Sequence, residues 1–185
     1  MSGDFIVFEG PDGTGKSFLC KKVSKELTGK GYKVVLTAEP THEGIGAFIR
    51  SGSAEHISQR TEALLFVADR NDHTERIEKM VSEGKIVLCD RYFASTVAYQ
   101  SARLDGDSFD RDWLIGINEQ FIGKADLTIM LDIYPKVDMG RVGVRGEEIS
   151  KFERMDFQNQ VRYCKLHILY RTTNLVHLTP KKEAP

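Results

Sequence analysis

The sequence has 185 residues, 41% of them apolar and 29% charged, with a formal net charge of −1. This is ordinary globular composition in a length that fits one domain, and its charge balance gives no global sign of a nucleic-acid or membrane partner. No apolar run approaches membrane-spanning length.

The first apolar run, Phe5-Ile6-Val7-Phe8-Glu9, reads as a short buried strand. The stretch Gly10-Pro11-Asp12-Gly13-Thr14-Gly15-Lys16-Ser17 follows at once and fits G-x-x-x-x-G-K-[ST], the phosphate-cradling P-loop. From Ser17 to about Lys30 the pattern is helical, with Phe18, Leu19, Val23 and Leu27 at helical spacing. Strand, glycine loop and helix are the setting the motif needs. Backbone N–H groups at the helix N-terminus then point at the phosphates. In this pattern Lys16 reaches the β- and γ-phosphates of a nucleotide and the Ser17 hydroxyl ligates Mg²⁺.

A second strand covers Lys33 to Ala38 and stops at Glu39-Pro40-Thr41. A short helix near Ile45 to Arg50 precedes a long one from about Ser58 to Glu83, ended by Gly84. Lys85 to Asp90 is a third strand, followed by Arg91-Tyr92 and a helix from Ala94 to Arg103. Asp110 is placed to cap a helix containing Trp113, Leu114, Ile117 and Phe121. Leu127 to Asp132 is a fourth strand, roughly Ser150 to Tyr170 a long helix, and Asn174 to Leu178 a final strand. Short, wholly apolar strands alternating with helices predict an α/β domain with a parallel sheet of about five strands, covered by helices on both faces. Ligands in such folds bind beyond the carboxyl ends of the strands. The P-loop, Glu39, Asp90-Arg91 and Asp132 all fall there.

Asp90 and Asp132 both end strands and are alternatives for the carboxylate that organises Mg²⁺ beside Ser17. Asp90 is favoured, because Arg91 beside it is suited to bidentate phosphate contact, whereas Ile133 follows Asp132 and no partner lies nearby. No N-K-x-D guanine-reading motif occurs, and the length excludes a large motor ATPase. A small kinase remains. Phe66 and Arg70, four apart on the long helix, pair an aromatic surface with a planar donor fork, which suits a base or a phosphate as well as a core Phe beside a solvated Arg. Arg141 and Arg145, spaced by Gly140, Gly143 and Gly146, form a candidate lid over about 137–152. The cysteines at 20, 89 and 164 form no metal pattern and read as buried hydrophobes in a reducing compartment. Without a signal-peptide layout, the expectation is a cytoplasmic protein.

Taken together, four blocks resemble the thymidylate kinase family. They are the P-loop with its internal aspartate, Glu39-Pro40-Thr41, Leu65-Phe66-Val67-Ala68-Asp69-Arg70, and the run Asp90-Arg91-Tyr92-Phe93-Ala94-Ser95-Thr96-Val97-Ala98-Tyr99-Gln100. The likeness covers nearly the whole chain as one domain, 1–185. It implies the three-layer P-loop kinase fold with a small lid, transfer of the ATP γ-phosphoryl group to dTMP, Mg²⁺ with ATP, and a homodimer. It also assigns residues. Phe66 resembles the residue stacking on thymine, Arg70 the one bonding the base carbonyl, and Arg91 the one gripping the dTMP phosphate. Ser95 and Thr96 fall at the base edge with Gln100 adjacent, and Tyr99 lies near the deoxyribose, where its ring disfavours a 2′-hydroxyl. Asp12 resembles the carboxylate near the sugar 3′-hydroxyl and the dTMP phosphate, and Glu39 the acidic residue at the second strand end. Arg141 or Arg145 is then the mobile arginine of the transfer step.

The sequence departs from the family pattern in three places. Ala38 stands where Arg often precedes Glu-Pro, and Ser150-Lys151 stands where the lid commonly carries Asp-Arg. The usual further helix after the last strand is also missing, which implies a more open adenine pocket. The competing readings are a deoxynucleoside kinase with Glu39 as base, a broader pyrimidine monophosphate kinase, and a nucleotide-gated binding module without catalysis.

Overall fold

Alternation on the strands decides which helices cover which face. A computed structural model describes residues 2–102, 110–133, 155–172 and 174–179. In β1 (Phe5–Glu9), Phe5 and Val7 enter one apolar cluster, while Ile6 and Phe8 join the other. In β3 (Ile86–Asp90), Val87 and Cys89 face the first cluster, and Ile86 and Leu88 the second. Strand side chains alternate with period two, so a strand that is apolar at every position demands cover on both sides.

α1 (Lys16–Gly29) supplies that cover on one face through Leu19, Cys20, Val23 and Leu27. On the other face lie α3 (Gln59–Ser82), α4 (Phe93–Ser101), α5 (Arg111–Glu119) and α6 (Met155–Thr172). They contribute Ile77, Val97, Leu114 and Val161 among others. Val87 and Leu88 are fully enclosed, and each such side chain contributes about 1.5–3 kcal/mol relative to exposure.

The sheet is completed by β2 (Val34–Ala38), β4 (Leu127–Leu131) and β5 (Leu175–Leu178), and α2 (Gly44–Arg50) follows β2. Strand order is β2-β3-β1-β4-β5 and every pairing is parallel. This is the five-stranded, doubly covered sheet that the sequence predicts. Phe8 of β1 stands opposite Asp90, the last residue of β3, and β1 runs one residue further to Glu9. The chain leaving β1 runs to α1 on one face and the chain leaving β3 runs to α4 on the other. Their carboxyl ends therefore open a crevice where the strand order reverses, the usual ligand position in such sheets.

Element ends differ slightly from expectation. Asp110 caps α5 by accepting from Asp112 N at 2.9 Å, but the helix closes at Glu119, so Phe121 lies beyond it. The strands begin or end one residue short of their apolar runs at Lys33, Lys85, Asp132 and Asn174, where side chains turn polar. No helix among the described residues is long and apolar enough to cross a membrane. The expected lid, with Arg141 and Arg145, lies outside the described residues.

Candidate active site

The phosphate loop joins β1 to α1 by glycine geometry. Gly10 has φ +148, and a Cβ there would stand 2.5 Å from the Leu131 carbonyl oxygen, so only glycine lets the loop leave the sheet this close to β4. Gly15 caps α1 in the left-handed region at φ 86 and has no side chain with which to bond the first N–H groups of the helix. Those donors and the positive end of the helix dipole face the loop. Lys16 is buried and its Nζ donates to the Pro11 carbonyl, with Thr14 Oγ1 at 3.4 Å.

Ser17 and Asp90 meet across the crevice, the Ser17 hydroxyl donating to Asp90 Oδ2. Asp90 Oδ1 is buried and has no hydrogen-bond partner among the described residues. A hydroxyl and a carboxylate in contact, with a second carboxylate oxygen to spare, fit a hard divalent cation such as Mg²⁺. Among the described residues no cluster of three or more His, Cys, Asp or Glu side chains forms a metal site. A cation here would therefore take most of its ligands from phosphate and water, as Mg²⁺ does.

Beyond Asp90 the chain strains. Arg91 has φ 70, a left-handed conformation that costs a non-glycine residue about 1–2 kcal/mol. Its N–H donates to the Phe8 carbonyl at 2.9 Å. Its guanidinium bonds Asp12 of the phosphate loop and lies 5.2 Å from the Tyr99 ring centroid. Asp12 also accepts from the Tyr99 hydroxyl at 2.6 Å. The loop, the residue after β3 and α4 are thereby tied at one point.

A cavity of about 260 Å³ opens beside this point. Asp12, Glu39, Phe66, Arg91, Ser95, Thr96, Tyr99 and Gln100 all line it, so the residues picked out for an acceptor site converge, with one exception. Arg70 does not line it. It is fully buried behind the wall, donating to Glu39 at 2.5 Å, to Thr96 Oγ1 at 2.8 Å and to Asn118. His73 holds the other Glu39 oxygen at 3.0 Å and contacts Thr37 Oγ1 at 2.7 Å. The cavity has a cation at one end, an aromatic face in Phe66, and buried polar edges in Thr96 and Gln100. Such a site takes a flat base carrying a phosphate.

The family model described as thymidylate kinase matches residues 8–184 of the chain. The chain belongs to the thymidylate kinase family. A probable thymidylate kinase from Pyrococcus horikoshii is 40% identical over 188 residues, spanning 96% of this chain and 89% of that protein. A thymidylate kinase from Thermomicrobium roseum is 38% identical over 165 residues, spanning 85% and 77%. The crystal structure of thymidylate kinase from Ehrlichia chaffeensis matches the fold with a TM-score of 0.74 at 26% identity, covering 100% of this chain and 92% of that one.

Within this family member, several residues around the site escape a reading by motif. Pro40, Glu62 and Tyr92 also line the cavity. Glu62 sits four residues before Phe66, on the same helix face, and that spacing is the signal for it. His73, three residues after Arg70 on the same helix, and Asn118, far from both in sequence, are buried partners of Glu39 and Arg70. Ser95, assigned to the base edge, spends its hydroxyl on Glu9 at 2.7 Å while still bordering the cavity.

Asp132 has partners after all, supplied from far along the chain. Arg162 of α6 grips both its oxygens, one at 2.6 Å, and His177 of β5 lies at 2.8 Å. Burial alone would raise the Asp132 carboxyl, but the Arg162 and His177 contacts outweigh it and hold the pKa below the usual 3.8. A depressed carboxylate adds stability above its ordinary pKa, and that stability is lost as pH falls through the folded value. Asp132→Asn is expected to cost about 2 kcal/mol, or about 4–8 °C in Tm, because it loosens charge-assisted bonds. Turnover should stay within about threefold of wild type. Thermal melts and steady-state rates test both halves, and a collapse in kcat with Tm intact would give Asp132 a role in the chemistry.

Proposed function

We propose that this chain is a dTMP kinase, transferring the γ-phosphoryl group of ATP to the phosphate of dTMP to give dTDP for dTTP synthesis. The observation that supports this most is that Asp12, inside the phosphate loop, lines the same cavity as Phe66, Arg91 and Tyr99. The loop that holds the donor therefore also bounds the acceptor pocket.

In this reading Gly10 to Ser17 hold the ATP phosphates and Lys16 neutralises the transferring group. Ser17 and Asp90 hold Mg²⁺, which when bound offsets charge on the phosphate oxygens. Arg91 grips the dTMP phosphate and Asp12 keeps Arg91 aimed at the loop. Phe66 stacks on thymine. Gln100, whose Oε1 is buried without a partner among the described residues, accepts from the base N–H. Thr96 and Ser95 border the base edge, and Arg70 acts there through Thr96 and Glu39. The Tyr99 ring, fixed through its hydroxyl to Asp12, disfavours a ribose 2′-hydroxyl. The acceptor is already an anion, so positioning and charge neutralisation suffice and no strong general base is needed. Arg141 or Arg145 supplies a further cation at the transferred group, on the family likeness alone. The enzyme works as a cytoplasmic homodimer, on the family likeness alone.

A coupled ATP-consumption assay with Mg²⁺ across nucleoside monophosphates and thymidine tests this. dTMP should give the highest kcat/KM and thymidine no turnover. Thymidine turned over as well as dTMP would make the protein a deoxynucleoside kinase, and ATP binding without turnover on any monophosphate a binding module.

A further inference from the structure

The first residue of the phosphate loop and the acceptor helix share one buried anchor, and it belongs to neither. Glu9 ends β1 on the face shared with Phe5 and Val7, pointing toward α4 and α6. It is fully buried. One of its oxygens accepts from Tyr92 N at 2.9 Å and Ser95 N at 3.2 Å, and the other from Ser95 Oγ at 2.7 Å. α4 has no cap from its own Ncap side chain, so Glu9 caps it from another element.

Lys165 on α6 is also fully buried and closes the network. Its Nζ donates to Glu9 at 2.9 Å, to the Gly10 carbonyl at 2.9 Å and to Ser95 Oγ at 2.8 Å. An ammonium has one N–H for each of these three acceptors. Nζ also stands 5.2 Å from the Tyr99 ring centroid.

We propose that Lys165 is a positioning residue, fixing the start of the phosphate loop and the acceptor helix α4 at one spacing through its closed network with Glu9 and Ser95. The proposal rests on the dTMP kinase reading above. Stability alone is a weak reason for such a pair, since well-packed apolar residues commonly serve as well in its place. Specification of one arrangement is a better reason, because phosphoryl transfer depends on alignment and a displacement of about 1 Å can cost 10²-fold in rate. Electrostatics ties the anchor to the site. Burial pushes the Lys165 amine down, Glu9 resists, and Arg91 and Lys16 push it further, to about 7. For Glu9, burial would raise the carboxyl, but Lys165, Ser95 and Tyr92 N outweigh it and lower its pKa.

The test separates positioning from stability. Lys165→Met or Glu9→Gln alone leaves a buried charge unpaired and should lower Tm sharply. The double variant Glu9→Gln/Lys165→Met is neutral, and its amide can still cap α4, but no ammonium bridges the Gly10 carbonyl to Ser95 Oγ. Its Tm should return toward wild type while kcat with dTMP stays down by about tenfold or more and both KM values hold within about threefold. A double variant with wild-type kcat would overturn the positioning role and leave the activity standing, whereas a wild-type protein inactive on dTMP would overturn both. If the double variant fails to fold, Ser95→Ala decides. A fall in kcat of about threefold or more at constant dTMP KM supports the anchor. A raised dTMP KM with kcat intact gives Ser95 to the base and overturns it.

Discussion

Lys16→Ala is expected to remove turnover, lowering kcat by about 10²–10³-fold or more, the range seen when one preorganised charge-stabilising donor is lost. The reason lies in how few cations the loop holds. Between Gly10 and Ser17 Lys16 is the sole positive side chain. The remaining neutralisation in that loop comes from backbone N–H groups and the uncapped N-terminus of α1, worth about half an elementary charge. Lys16→Arg should not rescue the rate, because a planar fork does not replace a compact ammonium in a buried loop position. Lys16 Nζ donates to the Pro11 carbonyl and stands 3.4 Å from Thr14 Oγ1, both within the same loop. Saturating kinetics with ATP and dTMP, beside thermal melts, give the answer. A kcat within about threefold of wild type would remove the loop from the chemistry.

Arg91 should be almost as sensitive, with an unusual stability signature. Arg91→Ala removes the guanidinium at the cation end of the cavity and leaves Asp12 without that partner. Charge-assisted bonds to a phosphate are worth about 1.5–3 kcal/mol, so kcat/KM for dTMP should fall by about 10- to 150-fold, with KM for ATP little changed. Arg91 also carries φ 70. Alanine keeps that strain and glycine relieves it. Arg91→Gly should therefore be more stable than Arg91→Ala by about 1 kcal/mol while equally impaired in rate. Strain retained at a functional position is expected where geometry serves chemistry. An effect of Arg91→Ala confined to ATP would contradict its place at the acceptor phosphate.

Much of this was legible in the chain because the signals are local. Apolar runs of strand length separated by helical periods predict the doubly covered parallel sheet. The loop pattern locates itself, and strand-end charges mark the crevice. Strand ends alone do not choose Asp90 over Asp132, since β3 and β4 both flank β1; the contact of Ser17 with Asp90 does. What was hidden depends on partners far apart in sequence. Asp132 looks isolated beside Ile133, yet its partners Arg162 and His177 lie 30 and 45 residues away. Lys165 bonds Glu9 across 156 residues. A hint of it was present, since Phe157, Val161, Lys165 and Ile168 share the buried face of α6, and a lysine in that stripe calls for a buried partner. Arg70 illustrates the opposite limit. Its spacing from Phe66 places it on the correct face, but only Glu39, Thr96 and Asn118 together decide that it supports the cavity wall from behind.

The central claim is that the loop and the cavity serve one transfer between two nucleotides. Incubating the protein with Mg²⁺, dTMP and ATP labelled at the γ-phosphoryl group, then separating the nucleotides, tests it most directly. Label should appear in dTDP, at a rate lost in the Lys16→Ala variant and strongly reduced in Arg91→Ala. Label released only as inorganic phosphate, or moved to thymidine in a parallel incubation with thymidine in place of dTMP while dTMP accepts none, would contradict the account.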